Sequence, residues 1–140
     1  MHATPRTTTI DLTQPTARRP RLLLVDDNAD GRKALERILS LRGYDVTAVA
    51  DGHAAIGAMD TAGFDVVLTD LNLPDVDGRE LARRADALRP RPLVALITGW
   101  GQEVEDEDIA AMGIDHLFLK PLDLTAMLDE IRRSLPDPDR

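Results

Sequence analysis

Five short apolar runs alternate along this chain with stretches whose apolar residues recur at helical spacing. The runs are Leu22–Val25, Val46–Ala50, Phe64–Leu68, Leu93–Ile97 and Leu117–Leu119. Strands joined by helical crossovers lie parallel in one sheet, and helices must then cover both of its faces. The alternation therefore predicts an α/β domain with a doubly wound parallel sheet of five strands and five helices.

The helical stretches carry apolar stripes that mark the faces packed against the sheet. The clearest stripe consists of Leu124, Met127, Leu128, Ile131 and Leu135, and two shorter stripes are Leu35, Ile38, Leu39 and Leu81, Ala85, Leu88. Asp51 precedes the second helical stretch and is predicted to be its N-cap. The periodic pattern spans residues 21–135, which we expect to form one domain.

The two ends of the chain lack this periodicity. Residues 1–20 mix Thr, Pro and Arg and are predicted to be a disordered tail, and residues 136–140 are predicted to be a short C-terminal tail.

Composition excludes several classes of function. The chain has no cysteine, which rules out disulfides and zinc–thiolate sites. A formal charge of −8 disfavours direct binding to nucleic acid, whose backbone attracts clustered Lys and Arg. No apolar run reaches the roughly 20 residues of a membrane span, and the N-terminus lacks the apolar core of a signal peptide. We therefore expect a cytoplasmic protein without direct membrane contact.

Polar residues follow four of the five predicted strands. Asp26 and Asp27 follow the first strand, Asp70 follows the third, Thr98 ends the fourth and Lys120 follows the fifth. In an open parallel sheet, functional groups gather beyond the carboxyl ends of the strands. If the first and third strands are neighbours, three carboxylates converge at this edge.

Converging carboxylates repel one another unless a cation lies among them. An all-oxygen set of ligands suits a hard divalent ion such as Mg²⁺. With such an ion bound, Asp70 could attack phosphorus while Lys120 neutralises the phosphoryl oxygens and Thr98 donates a hydrogen bond. Taken singly, each aspartate could instead be a helix cap or a turn former.

The motifs "VDD", "TDLNLPDVDG", "TG" and "KP" at these strand ends resemble the receiver domain of two-component response regulators. The resemblance covers residues 21–135 and implies a flavodoxin-like sheet with strand order 2-1-3-4-5. It implies that Asp70 is the phosphoacceptor and that Asp27, Asp70 and the Asn72 main-chain carbonyl bind Mg²⁺, with Asp26 acting through metal-bound water. It also implies that Thr98 and Lys120 contact the phosphoryl group.

The same resemblance implies the partners of a bacterial phosphorelay protein. The phosphoryl donor would be a phosphohistidine on a sensor histidine kinase or a histidine phosphotransfer protein. A downstream protein target would bind the face formed by the fourth helix, the fifth strand and the fifth helix, where homodimerisation is a further alternative.

Three functions are compatible with these residues. The first is a stand-alone receiver that acts as an adaptor, a relay intermediate or a phosphate sink, and that is not an enzyme. The second is a receiver that binds its partners without phosphorylation. The third is an aspartyl-phosphate phosphohydrolase; it is disfavoured because Asn72 stands where such enzymes need a second carboxylate.

The sequence departs from the receiver pattern at Leu117, where receivers usually carry an aromatic residue three positions before the lysine. Phe118 is adjacent, but successive side chains of a strand point to opposite faces, so we expect it to pack elsewhere in the core. Residues 103–108 are strongly acidic, which is typical of a solvated helix start. Trp100 is predicted to cover apolar surface in the loop after Thr98.

Overall fold

The computed structural model describes residues 19–99 and 106–135, apart from the side chains of residues 106–108. Five strands and five helices alternate within these ranges. They are β1 (Arg21–Val25), α1 (Ala29–Leu41), β2 (Asp45–Val49), α2 (Gly52–Thr61), β3 (Val66–Asp70), α3 (Gly78–Asp86), β4 (Leu93–Thr98), α4 (Asp106–Ala111), β5 (His116–Leu119) and α5 (Leu124–Ser134). The predictions for Trp100, Glu103–Glu105 and the two tails up to residue 18 and from residue 136 fall outside the described residues.

The strands form one sheet in the order β2-β1-β3-β4-β5, and every neighbouring pair is parallel. This arrangement confirms the predicted doubly wound fold. In the register of the sheet, Val25 lies opposite Thr69 and Asp70 lies opposite Ile97. The carboxyl ends of β1, β3 and β4 therefore meet at one edge.

Alternating strand residues supply two separate cores, one on each face of the sheet. Leu23, Val67 and Leu96 point to the face covered by α2 and α3. Leu24 and Leu68 point to the opposite face, covered by α1 and α5. The central strand β3 is buried along its whole length, which explains its continuous apolar run.

Side-chain caps fix where four helices begin, directly after the loops at the carboxyl edge of the sheet. Asp51 accepts a hydrogen bond from the Ala54 N–H at 2.8 Å, which confirms its predicted role at the start of α2. Asn28, Asp77 and Asp123 cap α1, α3 and α5 in the same way. In residues 19–99 and 106–135, no helix combines the length and apolar character that a membrane span requires.

The start of α3 depends on the absence of a side chain at Gly78. A β carbon there would lie 2.5 Å from the Asp70 carbonyl oxygen and 2.8 Å from the Leu71 α carbon. We expect Gly78→Ala to lower the free energy of unfolding by about 1–3 kcal/mol, because backbone atoms must move to admit the methyl group.

Gly57, on the exposed side of α2, is the matched control because a β carbon there would meet nothing within 4 Å. Gly57→Ala should raise the free energy of unfolding by about 0.5–1 kcal/mol through helix propensity. Urea unfolding followed by circular dichroism measures both values. An unchanged midpoint for Gly78→Ala would contradict the close approach of α3 to the end of β3.

Candidate functional site

Three carboxylates meet at the carboxyl edge of the sheet, as the strand pattern predicts. Asp70 is the last residue of β3, and Asp26 and Asp27 directly follow β1, the neighbouring strand. Each of the three contributes a carboxylate oxygen, and these oxygens all lie within 4.8 Å of one another. The convergence follows from the adjacency of β1 and β3 in the parallel sheet.

Asp70 is the buried member of this group, with only 6% of its surface exposed. Its Oδ1 accepts a hydrogen bond from the Asn72 N–H at 3.1 Å. Its Oδ2 accepts one from the Lys120 ammonium at 2.8 Å. Both oxygens of the buried carboxylate therefore have a partner, and one of these partners is a cation.

Lys120 follows β5, and its side chain crosses the end of β4 to reach Asp70 at the end of β3. Its main-chain N–H donates to the Thr98 carbonyl oxygen at 2.8 Å, which fixes where its side chain departs. The hydrogen bond to Asp70 raises the pKa of Lys120 above its usual 10.5, despite partial desolvation, and the charges of Asp70, Asp26 and Asp27 add to the effect. Lys120 is consequently a full cation at neutral pH.

Thr98, the last residue of β4, lies between the strands that carry the acceptor and the lysine. It is 1% exposed, so it belongs to the floor of the site. Asn72 lies two residues beyond β3 and is exposed to solvent. All six residues singled out in the sequence thus lie at the same edge of the sheet.

Arg32 supports the loop that carries Asp26 and Asp27, a role that the sequence did not indicate. Its Nη1 donates to the Asp26 carbonyl oxygen at 2.9 Å. The Asp26 carboxylate accepts from the Asn28 N–H at 3.0 Å, and the Asp26 N–H donates to the Val49 carbonyl oxygen. A side chain that returns to a main-chain carbonyl has no sequence signature beyond its place early in α1.

Asp75, also missed from the sequence, ties the loop between β3 and α3 to the start of α2. Its carboxylate accepts from the main-chain N–H groups of Gly52 and His53 at 2.8 and 2.9 Å. Desolvation would raise the pKa of Asp75, but the two N–H groups and the His53 charge outweigh it and hold this pKa below 3.8. The partners lie more than twenty residues apart in sequence, so no local pattern reveals the contact.

Leu117 and Phe118 point to opposite faces of the sheet, as expected from the strand period. Leu117 is half-buried against the core under α2 and α3. Phe118 packs against the core under α1 and α5. The phenyl ring therefore does not occupy the position that an aromatic residue at 117 would take.

A groove of about 420 Å³ opens beside the carboxylates, between α1 and the loop that joins β5 to α5. Asp26 and Lys120 are among the residues that line it. Its walls are mainly apolar and are formed by Ala34, Leu35, Ile38, Pro121, Leu122 and Leu124. The carboxylate cluster therefore borders an open and mainly apolar surface.

The three carboxylates and Lys120 could together bind a cation and react with a phosphoryl group. Three carboxylates and one ammonium leave an excess of negative charge at the edge of the sheet. Carboxylate oxygens bind hard divalent cations such as Mg²⁺ in preference to softer metal ions. The buried, lysine-paired Asp70 has the setting of a nucleophile toward phosphorus.

Comparisons with known proteins agree with this geometry. The family model for the response regulator receiver domain matches residues 22–132. The response regulator receiver protein CpdR of Brucella abortus is 34% identical over 115 residues, which cover 82% of this chain and 96% of CpdR. The sensor protein GacS of Pseudomonas syringae is 35% identical over 125 residues; the match covers 84% of this chain but only 14% of GacS.

Solved structures extend the likeness to three dimensions. The crystal structure of a CheY-like response regulator receiver domain protein from Methanospirillum hungatei has a TM-score of 0.79 and 27% identity. The alignment covers 86% of this chain and 97% of that one. With the strand order, the converging carboxylates and the family match over residues 22–132 in agreement, this chain belongs to the response regulator receiver domain family of two-component systems.

Proposed function

We propose that this protein is a stand-alone receiver that accepts a phosphoryl group on Asp70 from a phosphohistidine and signals through protein contacts. One observation carries the proposal: Asp70 is buried, its Oδ2 lies 2.8 Å from the Lys120 ammonium, and two further carboxylates lie within 4.8 Å. The likeness to CpdR over 96% of its length supports a receiver that works as a separate protein. We assign the function to residues 21–135.

In the proposed reaction an oxygen of Asp70 attacks phosphorus and forms a new O–P bond. The P–N bond of the phosphohistidine breaks, its electron pair goes to the imidazole nitrogen, and that nitrogen takes up a proton. Lys120 neutralises charge on the phosphoryl oxygens, and the Thr98 hydroxyl donates a hydrogen bond to one of them. The Asn72 N–H holds the orientation of the Asp70 carboxylate.

The carboxylates of Asp27 and Asp70 and the Asn72 carbonyl would hold Mg²⁺ directly, and the Asp26 carboxylate would contribute mainly through water. Their fit rests on three carboxylate oxygens within 4.8 Å, next to an exposed main-chain segment. When bound, Mg²⁺ supplies positive charge that offsets the negative charge of the phosphoryl group. Within the protein itself, Lys120 supplies the only cationic partner that Asp70 has among the described residues.

The proposed donor is a sensor histidine kinase or a histidine phosphotransfer protein. The match to part of the sensor protein GacS supports this class of partner. The proposed output face is formed by α4, β5 and α5, where Leu119 is an apolar residue with 65% exposure. Homodimerisation through this face, a bacterial origin and a cytoplasmic location stay predictions.

We propose a phosphorylated switch rather than an enzyme that turns over small substrates. Asn72 lies two residues after the acceptor, where a hydrolytic aspartyl enzyme needs an acid or base. Its side chain can supply neither a proton nor a general base.

Intact mass spectrometry after incubation with acetyl phosphate tests the acceptor directly. Wild type should gain one phosphoryl group in the presence of Mg²⁺ and none in the presence of a chelator. Asp70→Asn should gain none, because an amide lacks the nucleophilic oxygen. Asp60→Asn changes an exposed aspartate on α2 and should behave as wild type. An adduct that persists in Asp70→Asn would contradict the assignment, and so would its absence from wild type with a phosphorylated kinase as donor.

Replacement of Lys120 by methionine should have opposite effects on metal binding and on phosphorylation. The loss of a nearby positive charge should tighten Mg²⁺ binding by roughly three- to thirtyfold. Adduct formation at saturating Mg²⁺ should slow by roughly ten- to a hundredfold, because the phosphoryl oxygens lose a charged donor.

Isothermal titration calorimetry and the time course of adduct formation measure the two effects of Lys120→Met. Lys33→Met removes an exposed lysine from α1 and is the matched control. If Lys120→Met weakened Mg²⁺ binding, the ammonium would not oppose the cation, and this electrostatic account would be wrong.

A further inference from the structure

The loop between β3 and α3, residues 71–77, is held in place by the distant start of α2. Asp75 Oδ1 accepts from the Gly52 N–H at 2.8 Å, and its Oδ2 accepts from the His53 N–H at 2.9 Å. The His53 ring adds a contact from Nδ1 to the same Oδ2 at 2.7 Å. One carboxylate thus makes three contacts with the first turn of α2.

The helix already has a local cap that is independent of this loop. Asp51 Oδ1 accepts from the Ala54 N–H at 2.8 Å. The first four N–H groups of a helix lack partners within the helix, and Asp75 pairs two of those that Asp51 leaves. The two carboxylates therefore act on one helix end, but only Asp75 connects it to the loop.

Close packing reinforces the connection. A β carbon on Gly52 would lie 2.5 Å from the Val76 β carbon and 2.8 Å from its Cγ2. Val76 therefore lies directly against the backbone of α2. This second contact is apolar and does not depend on the Asp75 hydrogen bonds.

The tied loop carries the groups next to the acceptor. The Asn72 N–H donates to Asp70 Oδ1 at 3.1 Å, three residues before Asp75. Leu71 is buried and Leu73 packs on the same core as α2 and α3. A shift of the loop at Asp75 would move Asn72, and with it the hydrogen bond that orients Asp70.

We propose that Asp75 is a positioning residue for the phosphorylation site, which it holds in shape by fastening the β3–α3 loop to the first turn of α2. The inference rests on the proposed phosphorylation of Asp70. Asp75 acts through the loop and through Asn72; it does not touch the phosphoryl group. Outer residues of this kind typically change metal affinity or activity by about ten- to a hundredfold when they are removed.

Asp75→Ala and Asp51→Ala form a matched pair on the full chain. Each removes a carboxylate from the start of α2, but only Asp75→Ala also releases the loop. For each variant we would measure the melting temperature, the Mg²⁺ dissociation constant by calorimetry, and the rate constant for reaction with acetyl phosphate. Both variants should melt at lower temperature than wild type.

The positioning role predicts that the two variants differ in the site readouts. Asp75→Ala should weaken Mg²⁺ binding and slow adduct formation by about tenfold. Asp51→Ala should stay within about twofold of wild type in both, since its loss leaves the loop fastened. Equal effects of the two variants on Mg²⁺ binding and on the rate of adduct formation would overturn the proposal, because Asp75 would then act only as a helix cap.

Gly52→Ala tests the same connection without changing any charge, and it also serves if Asp75→Ala does not fold. The added methyl group displaces Val76. Gly52→Ala should therefore slow the reaction with acetyl phosphate, as Asp75→Ala does. A normal rate in Gly52→Ala, with the total helix content of wild type by circular dichroism, would overturn the proposal.

The Mg²⁺ readout separates this inference from the proposed function. If wild type binds Mg²⁺ but accepts no phosphoryl group from any donor, the proposed function fails. A Mg²⁺ dissociation constant about tenfold higher in Asp75→Ala than in Asp51→Ala would then still support a role for Asp75 in positioning the acidic cluster. A wild type that binds no Mg²⁺ would overturn both.

Discussion

The burial of one carboxylate, that of Asp70, governs the architecture around it. A carboxylate with 6% exposure needs hydrogen-bonding and charged partners, since burying an unpaired charge is costly. Lys120 supplies a cation at 2.8 Å and Asn72 a main-chain N–H at 3.1 Å. Removing the lysine would leave the buried carboxylate without its cationic partner, which costs more than the loss of a fully exposed ion pair.

Because the compensating groups come from different strands, the geometry of the sheet determines the site. Lys120 follows β5, two strands away from β3, and its N–H is fixed to the Thr98 carbonyl. Gly78 lets α3 begin against the Asp70 carbonyl, which keeps the intervening loop short and close to the sheet. The position of the acceptor is thus a property of the whole edge rather than of one loop.

Five of the six candidate residues could be placed from two regular periods in the sequence, and the sixth, Asn72, is indicated by the resemblance to receiver domains. Strand runs with a period of two and helical stripes near 3.6 define where each strand ends, and parallel pairing brings those ends to one edge. Asp51 is predictable as a helix cap because its side chain bonds to an N–H only three residues ahead.

The roles of Arg32 and Asp75 cannot be predicted from sequence, because their contacts depend on the three-dimensional arrangement of the loops. The Asp75 carboxylate bonds to N–H groups that lie 22 and 23 residues earlier in the chain. Its local context, between Pro74 and Asp77, suggests only a turn. Leu117 is a similar case. The strand period predicts which face of the sheet it points to, but it does not predict which residues under α2 and α3 it packs against.

The charge balance at the edge also explains how a single modification could be transmitted. In the proposed phosphorylated state, Lys120 would exchange its bond to Asp70 for bonds to phosphoryl oxygens. Its main chain is fixed to Thr98, and its neighbour Leu119 is exposed at the end of β5. In this proposal, a change in the bonding partner of Lys120 would act directly on β5 at the proposed output face. β5 carries Leu117 where receivers usually have an aromatic residue, so the proposed response would pass through Lys120 and the main chain of β5.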